Sequence, residues 1–168
     1  MRTTRDDIHR GYDLIKQCID YVLKRDDIKF ISSELAPSTY KGMRQYRDDF
    51  GQFLVYSGGD HGFLGEEYNI KFRALHDAMH YENELTFNFD HEVVLSDMTA
   101  LEFHNIVAKL GYGYRDCILV EKIIRAEIEG QIEYYKENGE YVKDQRAFIV
   151  ACLESIEKGD KRYLERQV

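Results

Sequence analysis

The scarcity of proline is the feature that most limits what this chain can fold into. Its 168 residues include one proline, Pro37, where average usage would give roughly eight. Because proline breaks the interior of a helix, the stretches rich in Glu, Lys, Leu and Ile are free to continue as helices. We therefore predict an all-α fold, a compact single-domain bundle of five to six helices spanning residues 1–168. A short β element near residues 28–32 is the one departure that the pattern allows.

Helical periodicity places the individual helices. Thr4 is a suitable N-cap for the first helix and Asp144 for the last. The segment at residues 91–110 is apolar on nearly every side, which predicts a central helix packed all round. Residues 160–168 are mostly charged, so we expect a loosely ordered tail there. The predicted helices cover residues 5–24, 40–53, 66–81, 91–110, 116–137 (capped by Asp116) and 145–158, and residues 57–62 form a loop.

The acidic balance restricts the partners that the surface can bind. The formal net charge is −8, from 31 acidic and 23 basic residues. Such a surface repels a phosphate backbone, so we expect no direct binding of DNA or RNA. A nucleotide held through a metal ion, a basic protein partner and a second copy of the chain all remain compatible with this charge.

The chain has the character of a cytoplasmic protein. No apolar run approaches the roughly 20 residues of a membrane span, so no membrane partner is expected. The first residues, MRTTRDD, lack the apolar stretch of a signal peptide. The cysteines match no CxxC spacing and are expected to be small buried residues: they are Cys18, Cys117 and Cys152.

Two of the six histidines, His76 and His80, lie one helical turn apart in the predicted 66–81 helix. This spacing puts both imidazoles on one face of the helix, which suits a single metal ion. Both lie just beside the apolar stripe of the helix and hence at the edge of the core. The alternative is that they are two polar residues with ordinary hydrogen bonds.

Side chains on the later helices can complete such a site. Glu92 opens the 91–110 helix, where the helix dipole favours a carboxylate and a third ligand is well placed. In the 116–137 helix, Glu127 and Gln131 fall on or beside the apolar face, whereas Glu129 and Glu133 point away. A carboxylate and an amide in an apolar stripe need partners inside the protein. Those partners are either a tyrosine or arginine of the core, or a metal or substrate site shared with the histidines.

The segment HDAMH at residues 76–80 resembles the HExxH helix of zincin metallopeptidases, with Asp77 where that family has a general-base Glu. The segment HEVVLSD at residues 91–97 looks like the second helix of thermolysin-like zincins. In those enzymes a Glu is the third zinc ligand, and an Asp one turn later supports a ligand histidine. The resemblance implies that Asp77 is the base, that Asp97 is the supporting carboxylate, and that the ligands are His76, His80 and Glu92.

Residues 74–80, ALHDAMH, are also similar to the signature of HD-domain phosphohydrolases, an all-helical family. In that family adjacent His and Asp residues bind a divalent metal, with a further His upstream and an Asp downstream. The resemblance implies that His76 and Asp77 bind the metal. His61 is then the upstream candidate, and Asp97 or Asp116 is the downstream one.

These patterns lead to the hypothesis of a metal-dependent hydrolase, in which a Zn, Mn or Fe ion lowers the pKa of a bound water. The substrate is a small molecule, with a phosphoester or nucleotide favoured over a peptide because the predicted fold is all-helical. A helical non-haem iron site is a further chemistry that these ligands allow. The predicted metal ligands are His76, His80 and Glu92, the catalytic carboxylates are Asp77 and Glu127, and the substrate-binding residues are Arg73, Gln131 and Tyr134.

The alternative hypothesis is a small acidic protein without catalysis. A bundle with charge −8 and 13 tyrosines could present carboxylates in place of phosphates and block a nucleic-acid-binding partner, as anti-defence inhibitors do. A clustered acidic face would favour that function. A structural subunit of a homo-oligomer is a third hypothesis.

Overall fold

The all-α prediction is confirmed. The computed structural model describes residues 2–159, so Met1 and the expected loose tail at 160–168 lie outside the described residues. α5, a π-helical segment and α6 run on as one helix, which gives six helices in the described part of the chain. No helix there is both long and apolar enough for a bilayer crossing. The elements are α1 (Arg5–Arg25), β1 (Phe30–Ser33), α2 (Tyr40–Phe50), β2 (Phe53–Tyr56), α3 (Gly65–Glu82), α4 (Phe89–Lys109), α5 (Tyr114–Arg125), the π segment (Ala126–Gly130), α6 (Gln131–Asn138) and α7 (Gln145–Glu157).

One core is shared by α1, α3, α4, α5 and α7. Thr4 caps α1 as predicted and forms a reciprocal capping box with Asp7. Each large apolar side chain that is fully buried contributes about 1.5–3 kcal/mol, so this core fixes α3 and α4 relative to the other helices. Fully buried members include Ile15, Ile19, Leu75, Phe103, Ile123, Ile124, Ile149 and Leu153. The three cysteines are free and buried, as predicted.

The short β element is a parallel pair of strands, one before α2 in the sequence and one after it. β1 pairs with β2 in the register Phe30↔Phe53, so the predicted strand near residues 28–32 is confirmed with a small shift. The helix predicted for residues 40–53 is too long. α2 ends at Phe50 because Gly51 adopts a left-handed conformation, with φ of 70°. In β2, Phe53 and Val55 are buried while Leu54 and Tyr56 are more exposed, which is the two-residue period of a strand.

α4 is less enclosed than its apolar composition indicates. The helix begins at Phe89, two residues before the predicted start. Val94 is 43% exposed and Leu101 is 60% exposed, whereas Leu95 and Phe103 on the other face are fully buried. The prediction of a helix packed all round is therefore wrong. Apolar residues on every side of a helix do not by themselves supply a neighbour for every side.

The helix predicted for residues 116–137 begins earlier and contains a π turn. α5 starts at Tyr114 after Gly113, and Asp116 forms an ion pair with Arg10 at 2.9 Å instead of capping the helix. The π segment adds about one residue to a helical turn and rotates everything that follows. For this reason Glu129, which regular periodicity turns outward, is fully buried.

Gly11 of α1 marks a close contact with α5. A methyl group on Gly11 would lie 2.3 Å from Cδ1 of Ile123, well inside van der Waals distance. We expect Gly11→Ala to lower the free energy of unfolding by about 1–3 kcal/mol, the usual cost of overpacking. The opposite sign holds at an unobstructed helical position, where Ala is more stable than Gly by about 0.5–1 kcal/mol. Urea unfolding of the purified protein measures the difference.

Ile123→Val provides the matched control because it removes Cδ1 alone. The double variant should regain part of the stability that Gly11→Ala loses, giving a positive coupling in the double-mutant cycle. Additive losses from the two substitutions would show that the close contact is not the cause.

Candidate metal centre

Three side chains from α3 and α4 converge on one point. α3 carries His76 and His80 on one face, one turn apart. Asn88 caps α4 by accepting a hydrogen bond from the backbone N–H of His91, which places Glu92 in the first turn of α4. Among the described residues, the ligand atoms of His76, His80 and Glu92 lie within 4.8 Å of one another. These three residues could hold a metal ion, as the sequence pattern predicts.

The contacts within this group are short and mutual. Nε2 of His76 lies 2.8 Å from Oε2 of Glu92, and Nε2 of His80 lies 3.0 Å from Oε1 of the same carboxylate. The two Nε2 atoms are 3.1 Å apart. His80 is fully buried, and the side chains of His76 and Glu92 are 20% and 12% exposed. A single carboxylate therefore bridges two imidazoles at the edge of the core.

A backbone carbonyl sets the orientation of the His80 ring. Nδ1 of His80 lies 2.7 Å from the carbonyl oxygen of Leu85. A carbonyl can only accept, so Nδ1 carries the proton and Nε2 of the neutral ring presents a lone pair to the centre. Metal-binding histidines in proteins are commonly oriented in this way by an acceptor at the second ring nitrogen.

In the centre, two acceptors face each other unless a proton or a cation lies between them. The ionised Glu92 carboxylate is an acceptor only, and it faces the lone pair of His80. Nδ1 of His76 is buried and has no hydrogen-bond partner within residues 2–159, so the proton of a neutral His76 ring belongs on Nε2, where Glu92 accepts it. This proton serves the contact of His76 with Glu92 but leaves the lone pair of His80 facing Oε1 of Glu92, whereas a cation bound to all three ligands would serve both contacts.

The pKa directions agree with this arrangement. Burial lowers the pKa of His80, which favours its neutral form. Burial acts in the same sense on His76, but the charge and hydrogen bond of Glu92 outweigh it and raise the pKa of His76. Burial raises the pKa of Glu92, but the two histidines outweigh that effect and hold it at about 2. Glu92 is therefore ionised at neutral pH and available as a ligand.

Asp77 lies on α3 next to His76 and is half-buried. Burial, together with the negative charge of Glu92, raises the pKa of Asp77 to about 7, against the opposing effects of His76 and Arg73. A carboxyl group with a pKa near neutrality beside a candidate metal centre has the property of a general base.

Arg73, one turn before Asp77, hydrogen-bonds to backbone carbonyl groups. Its NH1 group donates to the carbonyl oxygens of Tyr56 and Gly58 at 2.6 and 2.8 Å. Burial lowers the pKa of Arg73. This guanidinium therefore fixes the start of the loop at residues 57–62, and its substrate-binding role stays a prediction.

The structure places Glu127 in a separate buried network. Tyr12 of α1 donates a hydrogen bond to Oε1 of Glu127. Gln131 donates to Oε2 of Glu127 at 3.0 Å and to the side-chain oxygen of Gln145 at 3.4 Å. Glu127 thus has a core tyrosine as its partner, and Gln131 bonds to Glu127 and Gln145. This is the alternative of ordinary hydrogen bonds inside the core, and not of a site shared with the histidines. Glu127 is not part of the converging group, and its catalytic role remains a prediction.

The remaining candidates also lie outside the converging group. Asp97 pairs with Arg125, so the support that the zincin resemblance assigns to Asp97 is given to His80 by the Leu85 carbonyl instead. His61 contacts Asn69 at 3.1 Å. Tyr134 packs edge-on against Phe148, with ring centroids 5.5 Å apart. A groove of about 520 Å³ between α1 and α4, lined in part by Tyr21 and Met98, does not include the metal-binding group.

Sequence reasoning missed two partners that the structure supplies. The Leu85 carbonyl is a backbone group, and residue identity carries no signal for it. Tyr12 lies in the apolar stripe of α1, where it looks like an ordinary core residue. A buried phenol needs a hydrogen-bond partner, and the buried Glu127 needs a donor. These two requirements together could have predicted the pairing of Tyr12 with Glu127.

Comparison with protein-family models, with curated proteins and with solved structures finds no match to the chain. The case for a function therefore rests on the geometry of the centre.

The Glu127 network gives a prediction about pH. Burial raises the pKa of Glu127 above its ordinary value of 4.5, against the hydrogen bonds from Tyr12 and Gln131 that lower it. A raised pKa in the folded state means that stability is lost as the pH rises above about 4.5 and the buried carboxyl ionises. We expect Glu127→Gln to make the decline in stability between pH 5 and pH 8 shallower, as measured by urea unfolding at the two values. Glu137→Gln, at an exposed position of α6, should keep the slope of the unmodified chain, and an unchanged slope in Glu127→Gln would contradict the prediction.

Proposed function

We propose that this protein is a hydrolase that depends on one divalent metal ion and acts on a phosphoester or a nucleotide. The observation that carries the proposal is the convergence of two imidazoles and one ionised carboxylate on one point. The His80 ring is oriented for this by the Leu85 carbonyl. Zn, Mn and Fe all accept a mixed set of nitrogen and oxygen ligands.

The number of ligands favours catalysis over a structural role. Structural zinc sites use four protein ligands, whereas catalytic sites use three and leave a position for water or substrate. When bound, the ion supplies a water of lowered pKa. His76, His80 and Glu92 hold the ion, and Asp77 accepts a proton from the attacking water.

The fold favours a phosphoester over a peptide. The described residues form an all-α bundle with a two-stranded parallel sheet, and an all-helical frame agrees with the resemblance to HD-domain phosphohydrolases. Substrate-binding roles for Arg73, Gln131 and Tyr134 belong to this proposal, and so does a catalytic role for Glu127.

The alternative, an acidic inhibitor, has less support. Several carboxylates that it would need are neutralised by neighbouring bases: Asp20 by Lys71, Asp116 by Arg10 and Glu102 by Arg25. Carboxylates paired in this way are poor substitutes for a line of free phosphates.

The test is an activity assay after removal and return of metal. Protein purified without a histidine tag is stripped with a chelator, reloaded with Zn, Mn or Fe, and supplied with chromogenic phosphomonoesters, phosphodiesters and peptides. We expect phosphoester hydrolysis that is lost on chelation and restored by one of the ions. Metal-dependent peptide hydrolysis would overturn the substrate class, and the absence of metal-dependent turnover on every substrate would overturn the proposal of an enzyme.

A further inference from the structure

A pair of exposed tyrosines lies beside the candidate metal centre. Tyr135, near the end of α6, and Tyr141, in the segment that follows, stack with ring centroids 4.6 Å apart and an interplanar angle of 28°. Gly139 ends α6 in a left-handed conformation, which turns the chain so that Tyr141 returns over Tyr135. Tyr135 is 40% exposed and Tyr141 is 67% exposed. The pair thus presents a wide aromatic face to solvent.

The end of α6 is joined to the start of α4, where Glu92 lies. The ammonium group of Lys136 is 4.2 Å from the centroid of the Phe89 ring. Phe89 and Glu92 are three residues apart on α4 and therefore lie on the same side of that helix. Tyr141 is also close enough to Glu92 for the charge of that carboxylate to add to burial and to Tyr135 in raising the pKa of Tyr141. The tyrosine pair and Lys136 consequently form part of the rim of the centre.

An exposed aromatic face and a free cation at such a rim match two parts of a nucleotide. Stacking on tyrosine tolerates any base, since every base has a π face. Within residues 2–159 Lys136 makes a cation–π contact and forms no ion pair, so its charge is available to a phosphate.

We propose that the exposed ring of Tyr141, supported by Tyr135, is the platform on which the base of a nucleoside 5′-monophosphate stacks, with Lys136 facing its phosphate. This inference deepens the proposed function by naming the substrate class, and the role of the nucleotide as a substrate rests on that function. The platform itself is formed by residues that do not bind the metal ion.

The test compares ligands with and without a base. Isothermal titration measures the binding of ribose 5-phosphate and of AMP, GMP, CMP and UMP to the protein, both metal-free and loaded with Zn or Mn. We expect at least one nucleotide to bind on the order of tenfold more tightly than ribose 5-phosphate, which corresponds to a single stacking contact. Tyr141→Ala should remove this preference, Tyr141→Phe should retain it, and Tyr114→Ala, which removes a tyrosine that is 74% exposed on α5, should leave it unchanged.

Lys136→Gln should weaken nucleotide and ribose 5-phosphate binding by the same factor. Equal affinity for ribose 5-phosphate and all four nucleotides in the unmodified chain would overturn the inference, and so would a base preference that survives Tyr141→Ala. The proposed function fails separately, through absence of metal-dependent hydrolysis. A base preference without hydrolysis would support the platform in a protein that is not an enzyme, whereas phosphoester hydrolysis without a base preference would overturn the platform alone.

Discussion

Replacing His80 with alanine is expected to abolish stoichiometric metal binding. The unmodified chain, purified without a tag, should carry or take up about one divalent ion, as measured by plasma mass spectrometry after gel filtration. A structural zinc site with four ligands is worth about 10–16 kcal/mol in all, so the loss of one ligand weakens binding roughly 10²- to 10³-fold. His76→Ala and Glu92→Ala should show the same loss, because each residue provides one of three ligand atoms that lie within 4.8 Å.

His104→Ala is the matched control for these variants. His104 also pairs with a glutamate, Glu121, through Nδ1, but this pair lacks a third ligand among the described residues. Removal of His104 should therefore leave the metal content unchanged. Equal and low metal content in the unmodified chain and in all three ligand variants would contradict the metal centre. Circular dichroism of each variant separates loss of a ligand from loss of the fold.

Replacing Asp77 with asparagine is expected to lower the hydrolysis rate of a chromogenic phosphoester by about 10²- to 10⁴-fold, the usual contribution of a general base. Asparagine has nearly the same shape but cannot accept a proton from water. Without the ion, burial and the charge of Glu92 raise the pKa of the half-buried Asp77 to about 7, and a bound cation lowers it, so Asp77 is ionised and able to accept a proton at neutral pH.

The metal content of Asp77→Asn distinguishes the two roles proposed for this residue. If Asp77 orients or deprotonates water, the variant should bind metal as tightly as the unmodified chain while losing turnover. A loss of metal would show that Asp77 is a further ligand, as the resemblance to HD-domain enzymes implies. Activity equal to that of the unmodified chain, at unchanged metal content, would exclude both roles.

Much of the fold and the centre of the site followed from local patterns. The proline count, the helical periodicity and the Thr4 and Asp144 caps correctly placed most helices, because each depends on residues close in sequence. The convergence of His76 with His80 is of the same kind, since one helical turn fixes their spacing. The helix dipole at the start of α4 favours Glu92 there, and the structure brings Glu92 together with the two histidines.

The features that sequence reasoning missed depend on the backbone or on contacts distant in sequence. The π turn at residues 126–130 has no simple residue signature, and it buries Glu129 against the expected periodicity. Gly51 ends α2 early, and β2 is recognisable only once β1 is available for pairing. The contact of Glu127 with Tyr12 joins positions 115 residues apart, a distance at which periodicity carries no information.

The metal-binding group has a consequence for the order in which the chain folds. His76 and Glu92 are 16 positions apart, on two helices joined by a short turn, so closing this hairpin costs little chain entropy. The Tyr12–Glu127 contact must close a loop seven times as long by sequence separation, 115 against 16. Contacts between near neighbours in sequence generally form sooner. We therefore expect the hairpin of α3 and α4 to form early, and the network around Glu127 to form later, when α1 docks onto the other helices.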